Sequence, residues 1–475
     1  MRHVWIDPLP PERLAGLLPP ERAEQLRRTA EHAREALAGR VVWNVNATAQ
    51  GGGVAEMLQS LLAYIRGAGV DARWLVLRGD PRFFTITKRL HNLLHGSPGD
   101  GGPLGDAERA HYEEVLQDNL EAIAHEVSPG DAVLLHDPQT AGLAAGLRAA
   151  GAHVVWRSHV GRDEDNEHTD RAWEFLRPYL ADAERFIFSR SQYVPEWLPQ
   201  DRVTIIPPSI DPFTAKNQEL TGEQVRGVLL AAGLVRDGEE EHPPVEFTRR
   251  DGRPDVVGRH TGVLVDAAAA PPLDARLVVQ VSRWDRLKDM AGVLEAFTRH
   301  VDDLPGDVHL VLAGPEVSGV SDDPEGAEVL ADCIARWRRL EPACRERVHL
   351  AELPMDDIDE NAIIVNALQR HAYVVVQKSL VEGFGLTVTE AMWKGRPVVA
   401  SAVGGIQDQI EDGRTGLLVH DPTDLDELAR ALERLLADRD LADRIGAAGR
   451  RRVLDAFLGD RHLRQYVTLI EELVR

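Results

Sequence analysis

Two glutamates separated by seven residues across a glycine loop, Glu382-Gly383-Phe384-Gly385 and then Glu390, form the arrangement in this chain with the clearest chemistry. The apolar run Tyr373 to Gln377 reads as a strand feeding the loop, and a helix is expected from about Leu386. Gly383 and Gly385 let the backbone turn sharply and come close to a ligand. The N–H groups that open a helix have no partner within it, so they suit an anion such as a diphosphate. Glu382 falls in the loop and Glu390 one turn inside the helix. A carboxylate can accept hydrogen bonds from two neighbouring hydroxyls of a sugar or ribose. For the loop alone, a strand–helix turn with two solvated acids is the alternative; the second glutamate and the flanking strands weigh against it.

A second arrangement lies in VVQVSRWDRLKDM, with Arg283 at a strand end and Lys288 five residues on, where a helix begins. Cations beside a helix N-terminus favour phosphate. Singly they would be solvated surface charges, but both arrangements fall at strand ends of one expected sheet. In the first half, Gly51, Gly52 and Gly53 follow a strand and open a helix without a G-x-G-x-x-G or Walker pattern. That turn is either flexible punctuation or a backbone surface close to a transferring sugar and its phosphate. His159 sits at another strand end with Arg157 and Asp163 nearby, a position where a lone histidine is more often structural. Asp137 is a weaker candidate, and Val403 to Asp408 is a further glycine turn. No set of His, Cys or carboxylates has metal-ligand spacing, Cys333 and Cys344 included, and neither H-E-x-x-H nor G-x-S-x-G occurs.

These residues need elements to hold them. Strands alternate with helices twice along the 475 residues. VVWNVN (Val41 to Asn46), ARWLVLRG, DAVLLHD, HVVWRSH, RFIFSRS and VTIIPP predict one parallel sheet. LVVQVSR, VHLVLAG, RVHLAEL, YVVVQKS, RPVVAS and TGLLVHD predict a second. The first 40 residues read as helical and charged. From about Pro207 to Asp274 the rhythm breaks; this reads as an interdomain segment plus a surface excursion, and the part from about Val235 to Val263 has no assignable role. Open α/β sheets bind ligands at the carboxyl ends of their strands, so two such domains facing each other place a cleft there. With 54 Lys and Arg against 77 Asp and Glu, the net charge of −23 makes a poor surface for nucleic acid. No apolar run approaches the roughly 18 residues of a membrane span, and the N-terminus lacks a signal-peptide core. A cytoplasmic enzyme in a reducing compartment is expected.

Glu382, Gly383, Phe384, Gly385 and Glu390, with Arg283 and Lys288, resemble the donor motif of retaining GT-B glycosyltransferases of the family-4 type. GGGVAEML, WRSHVGRD, IPPSIDPFTAKN and QKSLVEGFGLTVTEAMWKGRPVVAS together resemble the trehalose glycosyltransferring synthases, which join the glucose of a nucleotide diphosphate glucose to free glucose. The resemblance spans most of the chain. It implies an α/β chain of GT-B type, two doubly wound Rossmann-like domains facing a central cleft. The acceptor-side domain would cover 1–215 and the nucleotide-sugar domain 216–455, with a C-terminal helix over 456–475 packing back on the first domain.

Carried over by position, Arg283 and Lys288 would hold the diphosphate and stabilise the leaving nucleotide. Glu390 would hold the ribose hydroxyls. Glu382, with Gly383, Phe384, Gly385 and Leu386, would hold the donor sugar. Gly52 and Gly53 would lie near the phosphates and the acceptor, and His159 near the donor sugar. The implied catalytic set is Arg283, Lys288, Glu382 and His159. The family often has an Asp soon after this His; here Val160 and Gly161 intervene, and Asp163 is the candidate. No cofactor or bound metal is required, with Mg²⁺ stimulating through the nucleotide. The expected partners are UDP- or ADP-glucose and glucose, with neither nucleic acid nor membrane, and a homodimer is compatible. The alternatives are a retaining trehalose phosphorylase, a family-4-type enzyme with another acceptor, and a non-enzymic sugar-nucleotide-binding protein. A glycosidase using Glu382 and Glu390 as an acid–base pair leaves Arg283 and Lys288 unexplained.

Overall fold

The computed structural model describes residues 1–49, 52–239, 242–317 and 324–474. The chain divides into two compact units, Met1–Ser209 with Phe457–Arg475, and Ile210–Ala456. The first unit contains β1 (Arg2–Val4), β2 (Val41–Asn46), β3 (Asp71–Val76), β4 (Ala132–His136), β5 (His153–Ser158), β6 (Arg185–Phe188) and β7 (Val203–Ile205). They form one sheet in the order β1-β3-β2-β4-β5-β6-β7, parallel throughout except for β1 against β3. Helices cover both faces of such a sheet, so its central strands are apolar without alternation; all five residues of β4 are buried. The stretch expected to be wholly helical is helical over α1 (Pro20–Ala36) but begins with β1, whose three residues are too few to show a period. The helix α2 (Gly53–Gly67) follows β2. The C-terminal helix, Gly459–Val474, belongs to this unit: Leu463, Tyr466, Leu469 and Ile470 are buried, and Arg22 of α1 donates two N–H groups to Asp460 at 2.7 and 3.1 Å.

The second unit holds a six-stranded, wholly parallel sheet of β10 (Arg276–Val281), β11 (Val308–Pro315), β12 (Val348–Leu353), β13 (Val374–Gln377), β14 (Val398–Ser401) and β15 (Leu417–Val419). The order is β12-β11-β10-β13-β14-β15, so the chain reverses direction across the sheet between β10 and β13. In the first unit the same reversal falls between β2 and β4. Such switch points open crevices at the carboxyl ends of the strands.

The stretch before β10, expected as an interdomain segment plus a surface excursion, is largely exposed in its later half and carries regular elements. It contains the helix α3 (Gly222–Ala231), opened by a reciprocal Thr221–Gln224 cap, and a hairpin of β8 (Glu246–Thr248) and β9 (Pro254–Val256). The hairpin is clamped to the start of α5 (Ile358–His371): Arg249 bonds Asp357 at 2.9 Å and Arg250 bonds Asp359 at 2.7 Å. Three-residue strands with charged flanks carry no apolar period, which is why the hairpin was not visible. Among the described residues no helix is long and apolar enough to cross a membrane.

Candidate active site

In the second unit the loops after β10 and β13 flank the switch point, and they are knitted together. Gln280, buried near the end of β10, accepts the N–H of Lys378 at 3.2 Å and donates to the Lys288 carbonyl at 2.8 Å. The Leu380 N–H donates to the Leu287 carbonyl at 2.7 Å. The buried Lys378 ammonium pairs with Asp289, a left-handed residue (φ 48°) that caps α4 (Met290–Arg299) through Gly292. Trp284 packs against Gly314, where a Cβ would come 2.5 Å from the indole nitrogen, and that nitrogen donates to the Pro315 carbonyl. The loop after β10 is therefore fixed on both sides.

This scaffold brings Lys288 to Glu382: Nζ stands 2.6 Å from Oε2, which also accepts from Ser379 at 3.2 Å. Both side chains are more than four-fifths buried. Lys288 lies in a short 3₁₀ turn just before α4, rather than in the helix itself. Arg283, two residues beyond β10, has a side chain 58% exposed and pairs with Asp285 at 3.0 Å.

Gly385 adopts φ 83° and begins α6 (Leu386–Trp393), a helix N-terminus of the kind that suits an anion. The loop is held from below by the short helix α7 (Ile406–Gln409) and the turn before it. Gly405 lies so close that a Cβ there would come 2.7 Å from Phe384 Cα. The buried Gln409 donates to the Phe384 and Gly405 carbonyls and accepts from Thr389 of α6. Gly405 belongs to the expected turn Val403 to Asp408, but Gln409 carried no local signal.

Glu390 is buried, with Lys216 Nζ 3.8 Å from Oε1. Lys216 comes from IPPSIDPFTAKN, and the next residue explains that motif's place in this unit. Asn217 accepts from Trp393 Nε1 at 3.1 Å and from Lys394 Nζ at 3.2 Å, so the segment is stapled to the end of α6. Lys394 also donates to Gln369 at 2.7 Å and to the Glu390 carbonyl at 3.2 Å; burial pushes its amine down. Lys216 is thus a candidate that sequence spacing could not find, because its partner is far along the chain.

In the first unit, β4 and β5 end side by side, and their last residues assemble a compact group. His136 Nδ1 and His159 Nε2 lie 3.0 Å apart with stacked rings, and His136 Nε2 stands 3.0 Å from Asn44 Oδ1. Burial pushes His136 down to about 3 and His159 well below its ordinary value, with the Arg157 guanidinium adding to both. Both imidazoles are therefore neutral and share one N–H. The His159 backbone N–H donates to Asp137 Oδ1 at 2.7 Å. Asp137 holds φ 65° and ψ 176°, a conformation few residues except glycine adopt, and burial raises its carboxyl to about 7. Asp163, expected beside His159, is instead paired with Arg190. Asp137, not Asp163, is the acid that touches His159. Gly52, at φ 89° and ψ 158°, turns the chain into α2, which Gly53 begins. Gly51 lies outside the described residues.

Sequence spacing points to no set of metal ligands, and the fold brings two groups of such side chains together among the described residues. Asp237, Glu239 and His242 form one group with ligand atoms within 4.8 Å of one another, and His300, Asp303 and Glu433 form another. Glu433 is distant in sequence from its partners, and neither group includes a residue of the loops after β10 and β13. Cys333 and Cys344 are both free thiols.

Residues 44–195 match the family described as "Trehalose synthase, N-terminal domain", and residues 359–452 match "Glycosyl transferases group 1". The trehalose synthase of Pyrococcus horikoshii is 34% identical over 441 residues, covering 92% of this chain and 91% of that one. The trehalose synthase of Rubrobacter xylanophilus is 34% identical over 444 residues, covering 92% of each. Among solved structures, Anabaena HepE in complex with UDP and glucose aligns with a TM-score of 0.59 at 15% identity, covering 91% of this chain and all of that one. The fold shared is GT-B, with Rossmann-like parallel sheets.

Proposed function

This chain belongs to the trehalose synthase family of glycosyltransferases, and from that membership we propose that it moves glucose from a nucleotide diphosphate glucose to free glucose, giving α,α-trehalose with retention at the donor carbon. The observation that carries the reading is the Lys288–Glu382 contact at the switch point, beside the glycine that opens α6. A departing diphosphate gathers negative charge, and fixed donors aimed at it lower the barrier. Lys288, Arg283 and the N–H groups after Gly385 are that set. Glu382 holds Lys288 in place and, with the backbone of Gly383 and Phe384, takes hydroxyls of the donor sugar. Glu390 takes the ribose hydroxyls.

The bond between the anomeric carbon and the phosphate oxygen breaks as the acceptor hydroxyl bonds to the same face of that carbon. The hydroxyl proton passes to the leaving phosphate oxygen. In the first unit, Gly52 and Gly53 offer backbone to the acceptor, and neutral His159, oriented by His136 and Asp137, offers hydrogen bonds to a sugar without adding charge. No bound metal is required; Mg²⁺ stimulates by pairing with the nucleotide. UDP and glucose, the pair held by Anabaena HepE, are of the kind proposed as partners here, with ADP-glucose as the other donor.

The test is a donor panel of UDP-, ADP- and GDP-glucose with free glucose, following nucleotide diphosphate release. Maltose alone, and trehalose with phosphate, are run alongside. Release that depends on glucose supports the reading. Trehalose formed from maltose alone, or turnover that needs phosphate and no nucleotide, would overturn it.

A further inference from the structure

A cavity of about 850 Å³ opens in the second unit on the side opposite the loops just described. Its walls come from the residues that lead into the strands: Leu273 and Asp274 ahead of β10, Arg370 and His371 ahead of β13, and Arg396 ahead of β14. The loops carrying Lys288 and Glu382 leave the other ends of β10 and β13. The cavity thus flanks the same switch point at the amino-terminal edge of the sheet. Arg226 of α3 and Arg236 complete the wall, with Asp237 as the second acid.

Four arginines against two aspartates make this a positive recess in a chain whose net charge is −23. The arginines are not consumed by each other's partners. Arg226 makes no hydrogen bond or ion pair with a described residue. Arg236 gives its Nε–H to the Ala270 carbonyl at 2.8 Å, leaving the end of the guanidinium. Arg396 gives one N–H to the Ala372 carbonyl at 3.3 Å, while its Nε is buried with no partner, as is Nε2 of His371. Arg370 is the anchored member: it pairs with Glu219 at 2.9 Å and donates to the Gln218 carbonyl at 2.9 Å. Burial lowers the Arg370 and Arg396 guanidinium pKa values, and burial with the Arg396 and Arg226 charges lowers His371. The buried Nε–H of Arg396 has no partner, a cost that an anion accepting from it would offset, and the exposed Arg226 and Arg236 bring their charges to the same recess.

We propose that this cavity is a second anion site, separate from the donor loops, that binds a phosphate monoester of a small metabolite. Guanidinium forks match phosphate oxygens, and the volume suits a molecule of sugar-phosphate size. The site is linked to Glu390 by contiguous contacts. Arg370 donates to the Asn217 carbonyl at 3.3 Å, Asn217 accepts from Trp393 and Lys394, and the neighbouring Lys216 stands against Glu390. A ligand that draws on Arg370 therefore changes the donor KM. That effect rests on the assignment of Glu390 to the donor; the binding does not.

The experiment is calorimetric titration of the full chain with glucose 6-phosphate and, separately, with inorganic phosphate. Wild type, Lys288→Ala and the double variant Arg226→Ala/Arg236→Ala are compared, with melting temperature as the folding control. Glucose 6-phosphate should bind wild type and Lys288→Ala with Kd values within about twofold, and the double variant at least about tenfold more weakly at an unchanged melting temperature. Inorganic phosphate should compete for the same site, because the phosphate carries the recognition. Binding lost in Lys288→Ala but kept in the double variant would put the anion on the donor loops and overturn the proposal. So would the absence of binding by both compounds in wild type.

Discussion

At the scale of single residues, the account turns on a few charges whose surroundings decide their use. Lys288 is held by Glu382 on one side and by the knitted loop on the other, so its ammonium is fixed before substrate arrives. Removing one preorganised donor from a site of developing charge costs about 3 kcal/mol, or roughly a hundredfold in rate. Lys288→Ala and Arg283→Ala are each expected to lower kcat by about that factor while leaving the melting temperature nearly unchanged for the exposed Arg283. Turnover of both variants within about twofold of wild type would remove them from the mechanism. Asp137 offers a second test. Its carboxyl is raised to about 7 by burial, so the folded state prefers the proton. The stability this provides is complete below the ordinary carboxylate range and is lost as pH rises through about 7. Asp137→Asn keeps the neutral form at every pH, so its melting temperature should gain on wild type between about pH 5 and about pH 8. Parallel melting curves over that range would contradict the assignment. Glu382, Lys288 and Glu390 were legible because acids and cations beside glycine turns stand out in a sequence. Lys216, Gln409 and His136 were not, since what makes each important is a partner supplied by the fold.

At the scale of elements, the strand–loop–helix units do the positioning. The apolar runs that became β2, β4, β10, β11 and β13 were readable because a parallel sheet buries them on both faces. The starting point of α6 at Leu386 was readable from its glycine. The turn Val403 to Asp408 could be recognised as a glycine turn, but its purpose could not. Gly405 supports the Phe384 backbone from a loop after a different strand, with no room for a side chain. Gly405→Ala should therefore push the Glu382–Gly385 loop out of place. The expected outcome is a donor KM raised about tenfold or more with the acceptor KM little changed, measured by steady-state kinetics. An unchanged donor KM would show that the loop does not position the donor. α3 had the Val225, Val228 and Leu229 spacing of a helix and was hidden by the charged, proline-rich stretch around it.

At the scale of the whole molecule, the chain returns after Ala456 to complete the unit it began with. Arg157, buried in β5, donates to His462 at 2.9 Å and to Tyr466, both on the C-terminal helix, and to the Ile206 carbonyl at 3.2 Å, with no carboxylate partner among the described residues. Because Arg157 donates to Nε2, neutral His462 uses its Nδ1–H on Ser209 at 2.9 Å. Ending the chain at Ala456 would leave that guanidinium and the apolar face of α1 uncovered. The truncated protein should lose the cooperative unfolding of the first unit, read by calorimetry, while the second unit still melts. Retention of both transitions would contradict this. The central claim, glucose passed from a nucleotide to free glucose, is tested most directly by tracing the acceptor. Unlabelled UDP-glucose or ADP-glucose is incubated with [1-¹³C]glucose, and the disaccharide is examined by NMR. The account predicts a non-reducing product with both anomeric centres α and ¹³C in one of the two rings. A product with a free reducing end, or trehalose carrying no ¹³C, would contradict it.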